Sequence, residues 1–234
     1  FRRMGKALKD ATARVAKERK QAEKPIVFSI CEWGWGKPYN WGAKAGNLWR
    51  TTPDIRPWWI WIKIIYEHTV KLYKYASKGH YNDPDMLEVG NGKLTYNQNV
   101  SHFSLWCMMN APLILGNDLR NMSEQVKSIV TNRNMIAINQ DSLAKQAKRV
   151  KKGGVDVLAK PLADGSVAVC FFNKLSHGAK AKFDLNTLAD DKYVALQKQT
   201  EYTAKEQWSG EKLTTSGTIS VSLEKCQSKV YIVK

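Results

Sequence analysis

The chain has 234 residues, 43% hydrophobic and 25% charged, a composition typical of globular proteins that excludes disordered and collagen-like chains. Its four cysteines lie far apart without a CxxC pair, so the sequence indicates neither a disulfide scaffold nor a zinc module. The net charge of +16 is spread along the chain, which favours a lysine-coated surface and argues against a nucleic-acid partner. The longest apolar stretch, 58–66, is too short to span a bilayer, so we expect no membrane partner.

The first 140 residues alternate between predicted helices and predicted strands. Apolar residues recur at steps of three and four from Phe1 to Ala22, which predicts an amphipathic helix. Strands that alternate with helices of ten or more residues indicate βαβ units and a parallel sheet. The predicted strands are 26–30, 47–50, 79–82 and 112–115, and the predicted helices are 1–22, 58–76, 96–109 and 123–130, the last with Ser123 as its N-cap.

After Gln140 the pattern changes to short β-rich runs that are separated by turns. The predicted strands here are 155–160, 166–172, 179–183, 193–197 and 218–223. Many short strands without an intervening helix are typical of an antiparallel sandwich. We therefore predict two domains, an α/β domain at 1–143 and a β-sandwich domain at 144–234.

Acidic and aromatic residues follow the ends of the four predicted strands of the α/β domain. They lie in the segments 31–36, 50–54, 82–86 and 116–118. Carboxylates accept hydrogen bonds from sugar hydroxyls, and an indole covers the apolar face of a pyranose. The set favours a barrel enzyme with an acidic, aromatic pocket. It leaves the reaction open, because each aspartate could also be a helix N-cap and each tryptophan could serve packing alone.

Several motifs in this chain resemble glycoside hydrolase family 27, the family of α-galactosidases and α-N-acetylgalactosaminidases. They occur in the family's order and spacing: SICEWG at 29–34, GNLWRTTPDI at 46–55, HYNDPDMLEVGNG at 80–92, HFSLW at 102–106, APLI at 111–114, GNDLR at 116–120 and INQD at 138–141. The resemblance implies an α/β fold, the C-terminal half of a TIM (β/α)8 barrel, followed by an antiparallel β-sandwich domain.

The resemblance also shows where this chain departs from the family. The family's first four βα units, with the Lys-x-Asp-x-Cys segment that carries the nucleophilic aspartate, have no match in 1–234. The resemblance thus implies a chain without its first half, whose Cys31 lacks the cysteine that would be its disulfide partner. We expect the domain at 1–143 to be a partial barrel that lacks the first four βα units.

By the same resemblance, Asp54 matches the general acid/base of the family. Arg50 matches the arginine that contacts the sugar and the catalytic carboxylates. Three further polar residues near the strand ends are interpreted as structural: His80, Asp83 and Asp118.

Four residues match the sugar pocket of the family. Glu32 and Trp33 match the loop that reads the 2-position of the sugar, and Asp85 and Met86 match residues that line the pocket. No cofactor and no metal are implied, because two carboxylates perform glycoside hydrolysis.

These matches predict a retaining glycoside hydrolase that removes terminal α-D-galactosyl residues from a galactose-containing oligosaccharide or glycoconjugate, and that is inactive as this fragment alone. An α-N-acetylgalactosaminidase or a β-L-arabinopyranosidase is the alternative within the family, and Glu32 disfavours the former because it fills the space of an acetamido group. A non-catalytic galactoside-binding fragment is the alternative from another class, because a half barrel exposes unpaired strand edges.

Overall fold

A short parallel sheet organises the first part of the structure, a computed structural model that describes residues 1–234. Its strands are β1 (Ser29–Ile30), β2 (Leu48–Arg50) and β3 (Tyr81–Asp83), in the order β1-β2-β3. Within these residues β1 pairs on one side only, with β2. The predicted strand 112–115 is reduced to a single parallel bridge between Leu87 and Leu115, so the fourth strand is shorter than the sequence indicates.

Alternation along the strands separates two faces of this sheet. Ile30, Trp49 and Asn82 occupy paired positions and are buried under the helices. The Trp49 indole donates to Asn82 Oδ1 at 2.8 Å, and this buried bond fixes the register. Arg50 and Asp83 are also paired in register, and they therefore lie together on the opposite face, the inside of the barrel.

The helices lie close to their predicted positions. Ser123 caps the helix after it by accepting a hydrogen bond from the Val126 N–H at 3.2 Å, which confirms the predicted N-cap. The last predicted turns of the helix 58–76 are a 3₁₀ helix, Val70–Tyr75. The five α-helices are α1 (Arg2–Glu18), α2 (Trp59–Thr69), α3 (Tyr96–Met108), α4 (Glu124–Val130) and α5 (Arg133–Asn139), the last of which the pattern does not predict. None is both long and apolar enough to cross a membrane.

Two antiparallel sheets form the second part of the structure. One has six strands in the order β4-β5-β6-β11-β8-β9, and the other pairs β7 with β10. The strands are β4 (Lys148–Lys151), β5 (Val155–Pro161), β6 (Val167–Asn173), β7 (Ala179–Asp184), β8 (Tyr202–Glu206), β9 (Lys212–Thr215), β10 (Thr218–Leu223) and β11 (Ser228–Val233).

The strand expected at 193–197 is wrong. Val194 and Leu196 are buried in the core of the sandwich, and this alternation imitates a strand. The segment is irregular instead, because the Asp191 carboxylate accepts hydrogen bonds from the N–H groups of Tyr193 and Val194. The Asp191 carboxylate thus accepts the hydrogen bonds that a neighbouring strand would otherwise accept.

A buried ionic network joins α2 to the sandwich. Asp156 on β5, whose side chain is fully buried, accepts from the Tyr66 hydroxyl at 2.8 Å and from Arg149 at 2.9 Å, and lies 3.0 Å from Lys174 Nζ. Glu67 accepts from the same two cations. Burial favours a higher pKa for Glu67, but hydrogen bonds from Lys174 and Arg149 outweigh it and lower that pKa to about 2.

Aromatic contacts complete this interface between the helices and the sandwich. Trp59 and Tyr66 of α2 pack edge-on against Phe172 of β6, with ring centroids 5.8 and 5.2 Å apart. The Trp208 indole donates to Ser104 of α3 at 3.0 Å. The sandwich therefore fixes the positions of α2 and α3.

We expect Asp156→Ala to lower the free energy of unfolding by about 1–3 kcal/mol, because it leaves the buried Tyr66 hydroxyl without its acceptor and removes one of the two carboxylates that pair with Arg149 and Lys174. Urea denaturation monitored by tryptophan fluorescence measures this loss. Asp10→Ala is the matched control, since Asp10 is exposed and pairs only with Lys6 one helical turn away. That control should cost less than about 0.5 kcal/mol. Equal losses in the two variants would contradict a stabilising role for the network.

Candidate active site

The polar residues of the candidate site lie at the carboxyl ends of β2 and β3. Arg50 is the last residue of β2, Asp54 follows it by four residues, and Asp85 follows β3 by two. Parallel pairing brings these strand ends to one edge of the sheet, the edge at which active sites of parallel barrels form.

The Arg50 guanidinium connects two carboxylates. Its Nη2 lies 2.5 Å from Asp85 Oδ2 and 3.2 Å from Asp54 Oδ1, and it also contacts the Thr52 carbonyl at 3.3 Å. The side chains of Arg50 and Asp85 are 11% and 14% exposed, whereas that of Asp54 is 68% exposed. Asp85 is therefore the main partner of the cation, and Asp54 keeps a carboxyl that faces solvent.

Four hydrogen bonds hold Asp85 in position. Its backbone φ is +85°, a value that most residues avoid and that aspartate tolerates better than most. Its carboxylate accepts from the N–H groups of Ile55 and Met86, both at 2.8 Å, and its carbonyl accepts from the Trp106 indole at 2.7 Å. Its own N–H donates to Asp83 Oδ1 at 2.8 Å.

Asp83 was interpreted from the sequence as structural, and the structure places it directly below this cluster. Its side chain is buried, and its carbonyl accepts from the Thr51 N–H at 2.9 Å. Burial raises the pKa of the Asp83 carboxyl, although the hydrogen bond from Asp85 and the charge of Arg50 oppose that rise. The signal that could have identified it is its expected place at the end of β3, level with Arg50.

The loop after β1 approaches the cluster through its backbone. Gly34 has φ +81°, and a Cβ added there would lie 2.2 Å from the Thr51 carbonyl oxygen. Both Glu32 carboxylate oxygens accept from the Gly36 N–H at 3.0 Å, so this side chain is held by its own loop. Trp33 is 44% exposed. The loop that carries Glu32 and Trp33 thus approaches Thr51 through its backbone, and neither side chain forms a hydrogen bond or ion pair with Arg50 or Asp54.

The remaining candidates fall into two groups. Met86 lies at the mouth, 37% exposed, close to Gly116 in the loop after the fourth predicted strand. His80 contacts the Gly46 carbonyl and stacks on Trp49 away from the cluster, which agrees with a packing role. Asp118 caps a 3₁₀ turn by accepting from the Arg120 N–H.

Two further observations concern metal and cysteine chemistry. The chain contains no group of three or more histidine, cysteine or acidic side chains arranged to hold a metal ion. All four cysteines are free thiols, and Cys31 is the exposed one. Cys31 therefore forms no disulfide with another cysteine of 1–234.

This arrangement suits proton transfer. Asp85 compensates most of the charge of Arg50, because its oxygen is closer to Nη2 than the oxygen of Asp54 is. A carboxyl next to a fully uncompensated cation would be held in its ionised form. Asp54 is therefore placed to exchange a proton with a molecule bound at the open edge.

Comparisons with known proteins agree on the family. Residues 4–141 match the family model described as alpha galactosidase A, and residues 152–233 match that of the alpha galactosidase C-terminal beta sandwich domain. An alpha-galactosidase A of Cellvibrio japonicus is 39% identical over 87% of this chain and 54% of its own length. An alpha-galactosidase of rice, Oryza sativa subsp. japonica, is 36% identical over 98% of this chain and 54% of its own length.

The fold is also similar to that of solved alpha-galactosidase structures. Alpha-galactosidase I from Mortierella vinacea superposes with a TM-score of 0.84 at 24% identity, over 94% of this chain and 60% of that structure. This likeness shows that the fold is shared, a barrel segment followed by a sandwich. The chain spans about half the length of the curated relatives it matches.

The close approach at Gly34 predicts a specific loss of stability. Gly165 is the matched control, because it has nearly the same φ, +84°, but open space around its Cβ position. Gly165→Ala should cost about 1–2 kcal/mol from backbone strain alone. Gly34→Ala should cost more, because its methyl group must also displace the backbone at Thr51. Chemical denaturation compares the two variants, and an equal loss in both would mean that the loop does not depend on this contact.

Proposed function

We propose a hydrolytic function from the premise that the chain belongs to glycoside hydrolase family 27, the α-galactosidase family. In this proposal the 234 residues form the acid/base side of a retaining glycosidase that removes terminal α-D-galactosyl residues. The observation that supports it most strongly is the contact of the Arg50 guanidinium with two carboxylates. Asp85 is the nearer and is nearly buried, whereas Asp54 is exposed.

Asp54 acts as the general acid in the first step. Its proton passes to the glycosidic oxygen, and the bond from that oxygen to the anomeric carbon breaks as a nucleophilic carboxylate attacks the carbon from the other face. The nucleophile belongs to a segment of the Lys-x-Asp-x-Cys type, which has no match in 1–234. A retaining mechanism requires the two carboxyl groups to be about 5–5.5 Å apart.

Asp54 acts as a base in the second step. The ionised carboxylate takes a proton from water, whose oxygen attacks the anomeric carbon and releases the nucleophile. The Trp61 indole donates to the Asp54 carbonyl at 2.7 Å and fixes the loop from below. The backbone that carries the Asp54 carboxyl is thus held in place.

The electrostatics of the cluster suit these two roles. The charge of Arg50 favours ionised Asp54, and the negative charges of Asp85 and of the nucleophile oppose that effect. When the nucleophile becomes glycosylated its negative charge disappears, so the charge of Arg50 then favours the ionised carboxylate that the second step requires.

The substrate is proposed to be a galactoside without a 2-acetamido group. The Gly36 N–H holds the Glu32 carboxylate in the loop after β1, and in this proposal the carboxylate accepts a hydrogen bond from a 2-hydroxyl. The curated relatives at 34–41% identity are named alpha-galactosidases, which supports the same substrate class.

In a full-length protein that carries these residues, we expect Asp54→Asn to abolish turnover of substrates with poor leaving groups and to spare sugar binding. Azide should restore product formation from an activated galactoside as an α-galactosyl azide, because azide attacks the intermediate without a base. Steady-state kinetics, product NMR and galactose titration measure these effects. Asp118→Asn is the control at another exposed strand-end aspartate. Full activity of Asp54→Asn on a poor leaving group would exclude Asp54 as the acid, and Asp85 would be tested next.

We expect the 234-residue chain, expressed alone, to release little or no p-nitrophenol from p-nitrophenyl α-D-galactoside. Loss of a catalytic nucleophile removes several orders of magnitude in rate. A matched assay on the full-length protein is the reference. Robust turnover by residues 1–234 would contradict the assignment of the nucleophile to a segment outside them, and galactose binding by a full-length protein without turnover would favour a binding module.

A further inference from the structure

Asp83 is connected to Asp54 through two intermediate residues. Its Oδ1 accepts the Asp85 N–H at 2.8 Å, Asp85 Oδ2 lies 2.5 Å from Arg50 Nη2, and the same Nη2 lies 3.2 Å from Asp54 Oδ1. Each contact in this series is direct, and three of its four residues are nearly buried. Asp83 itself does not contact Asp54.

We propose that Asp83 is a positioning residue that keeps the Arg50 guanidinium on Asp85 and thereby controls how strongly Arg50 acts on Asp54. The proposal rests on the proposed function, in which Asp54 is the acid/base. Asp83 acts by accepting a hydrogen bond from the backbone N–H of Asp85, and it does not contact the substrate.

The backbone of Asp85 explains why such support is needed. At φ +85° an aspartate is strained, and the strain is maintained only where surrounding contacts hold it. The Asp83 carboxylate accepts the one N–H of this strained residue. Without that acceptor, Asp85 loses one of its four hydrogen bonds and the only one made by its N–H, so its strained backbone and its carboxylate are held less firmly at Arg50.

Asp85 and Asp54 compete for the same nitrogen atom. Nη2 is shared at 2.5 and 3.2 Å, so Asp54 becomes the nearer anion once Asp85 Oδ2 moves farther than 3.2 Å from it. A cation that moves toward a carboxylate favours the ionised form of that carboxylate. Loss of the Asp83 hydrogen bond should therefore strengthen the pairing of Arg50 with Asp54.

Other charged and polar groups also surround Asp54 and remain in place in the test. Glu32 follows β1, Arg56 lies in the loop of Asp54, and α2 presents the Trp61 indole to the Asp54 carbonyl. None of them donates to Asp85. A change at Asp83 therefore reaches Asp54 through Asp85 and Arg50.

The test is a pair of substitutions in the full-length protein. Asp83→Ala removes the acceptor, so the basic limb of the pH profile of kcat/KM should move about one unit toward acid, and kcat/KM at a pH on that limb should fall up to about 10-fold. Asp83→Asn keeps the Oδ1 acceptor and should shift the limb by less than half as much. Since Asp83→Asn retains the hydrogen bond, it keeps the proposal falsifiable if Asp83→Ala does not fold. An equal shift in both would mean that the charge of Asp83, and not its hydrogen bond, is responsible.

Asp118→Ala is the matched control, because Asp118 also accepts the N–H two residues on, at 3.0 Å, in the next strand-end loop. Its pH profile should be unchanged. A shift as large as that of Asp83→Ala would overturn the proposal, since Asp118 belongs to a different turn.

A carboxyl ¹³C NMR titration separates this inference from the proposed function. The Asp54 resonance, assigned with Asp54→Asn, should titrate about one unit lower in Asp83→Ala than in the unsubstituted protein. If that shift occurs in a protein without glycosidase activity, the positioning role stands and the proposed function fails. If the protein is active and the titration of Asp54 does not move, the positioning role is wrong.

Discussion

The register between β2 and β3 is the constraint on which the candidate site depends. It places Arg50 level with Asp83 on the inside of the barrel, and the loops that follow bring Asp54 and Asp85 to the same cation. A slip of one residue would exchange the faces and move Arg50 into the layer of Trp49. The bond from Trp49 to Asn82, buried under the helices, opposes that slip. The hydrogen bond on one face of the sheet thus keeps Arg50 in register on the other face.

The sandwich contributes to the site through α2. Phe172 packs against Trp59 and Tyr66, and the buried ionic network at Asp156 anchors the middle of the same helix. The first turn of α2 carries Trp61, whose indole holds the carbonyl of Asp54. A continuous set of contacts therefore runs from β6 to the loop of Asp54. This explains physically why the two parts of the structure pack together although their sheets are separate.

Much of the fold could be predicted from local patterns, and the exceptions have physical causes. Helix caps such as Ser123 and buried runs such as 155–160 are visible in the sequence because short-range chemistry determines them. The segment 193–197 was wrongly predicted as a strand. Its N–H groups donate to the Asp191 carboxylate, whereas the N–H groups of a strand would donate to a neighbouring strand. The pattern also missed helix α5 and the strands β4, β8, β9 and β11, and β4 has a single large apolar residue, Val150.

The site was predictable in its members but not in its connections. The matched motifs bring Arg50, Asp54 and Asp85 together as expected, while the Glu32 carboxylate turns to its own loop. The role of Asp83 was not visible, because it depends on the positive φ of Asp85 and on pairing with a strand more than thirty residues away.

The net charge has a consequence for the behaviour of the chain in solution. Ile26 and Val27, just before β1, are 52% and 69% exposed, and exposed apolar side chains can associate with those of another molecule. A net charge of +16 repels identical copies at long range. The range of that repulsion contracts from about 30 Å in 0.01 M salt to about 3 Å in 1 M salt. The colloidal stability of the chain is therefore coupled to ionic strength, because dilute buffer preserves the repulsion between copies and concentrated salt screens it.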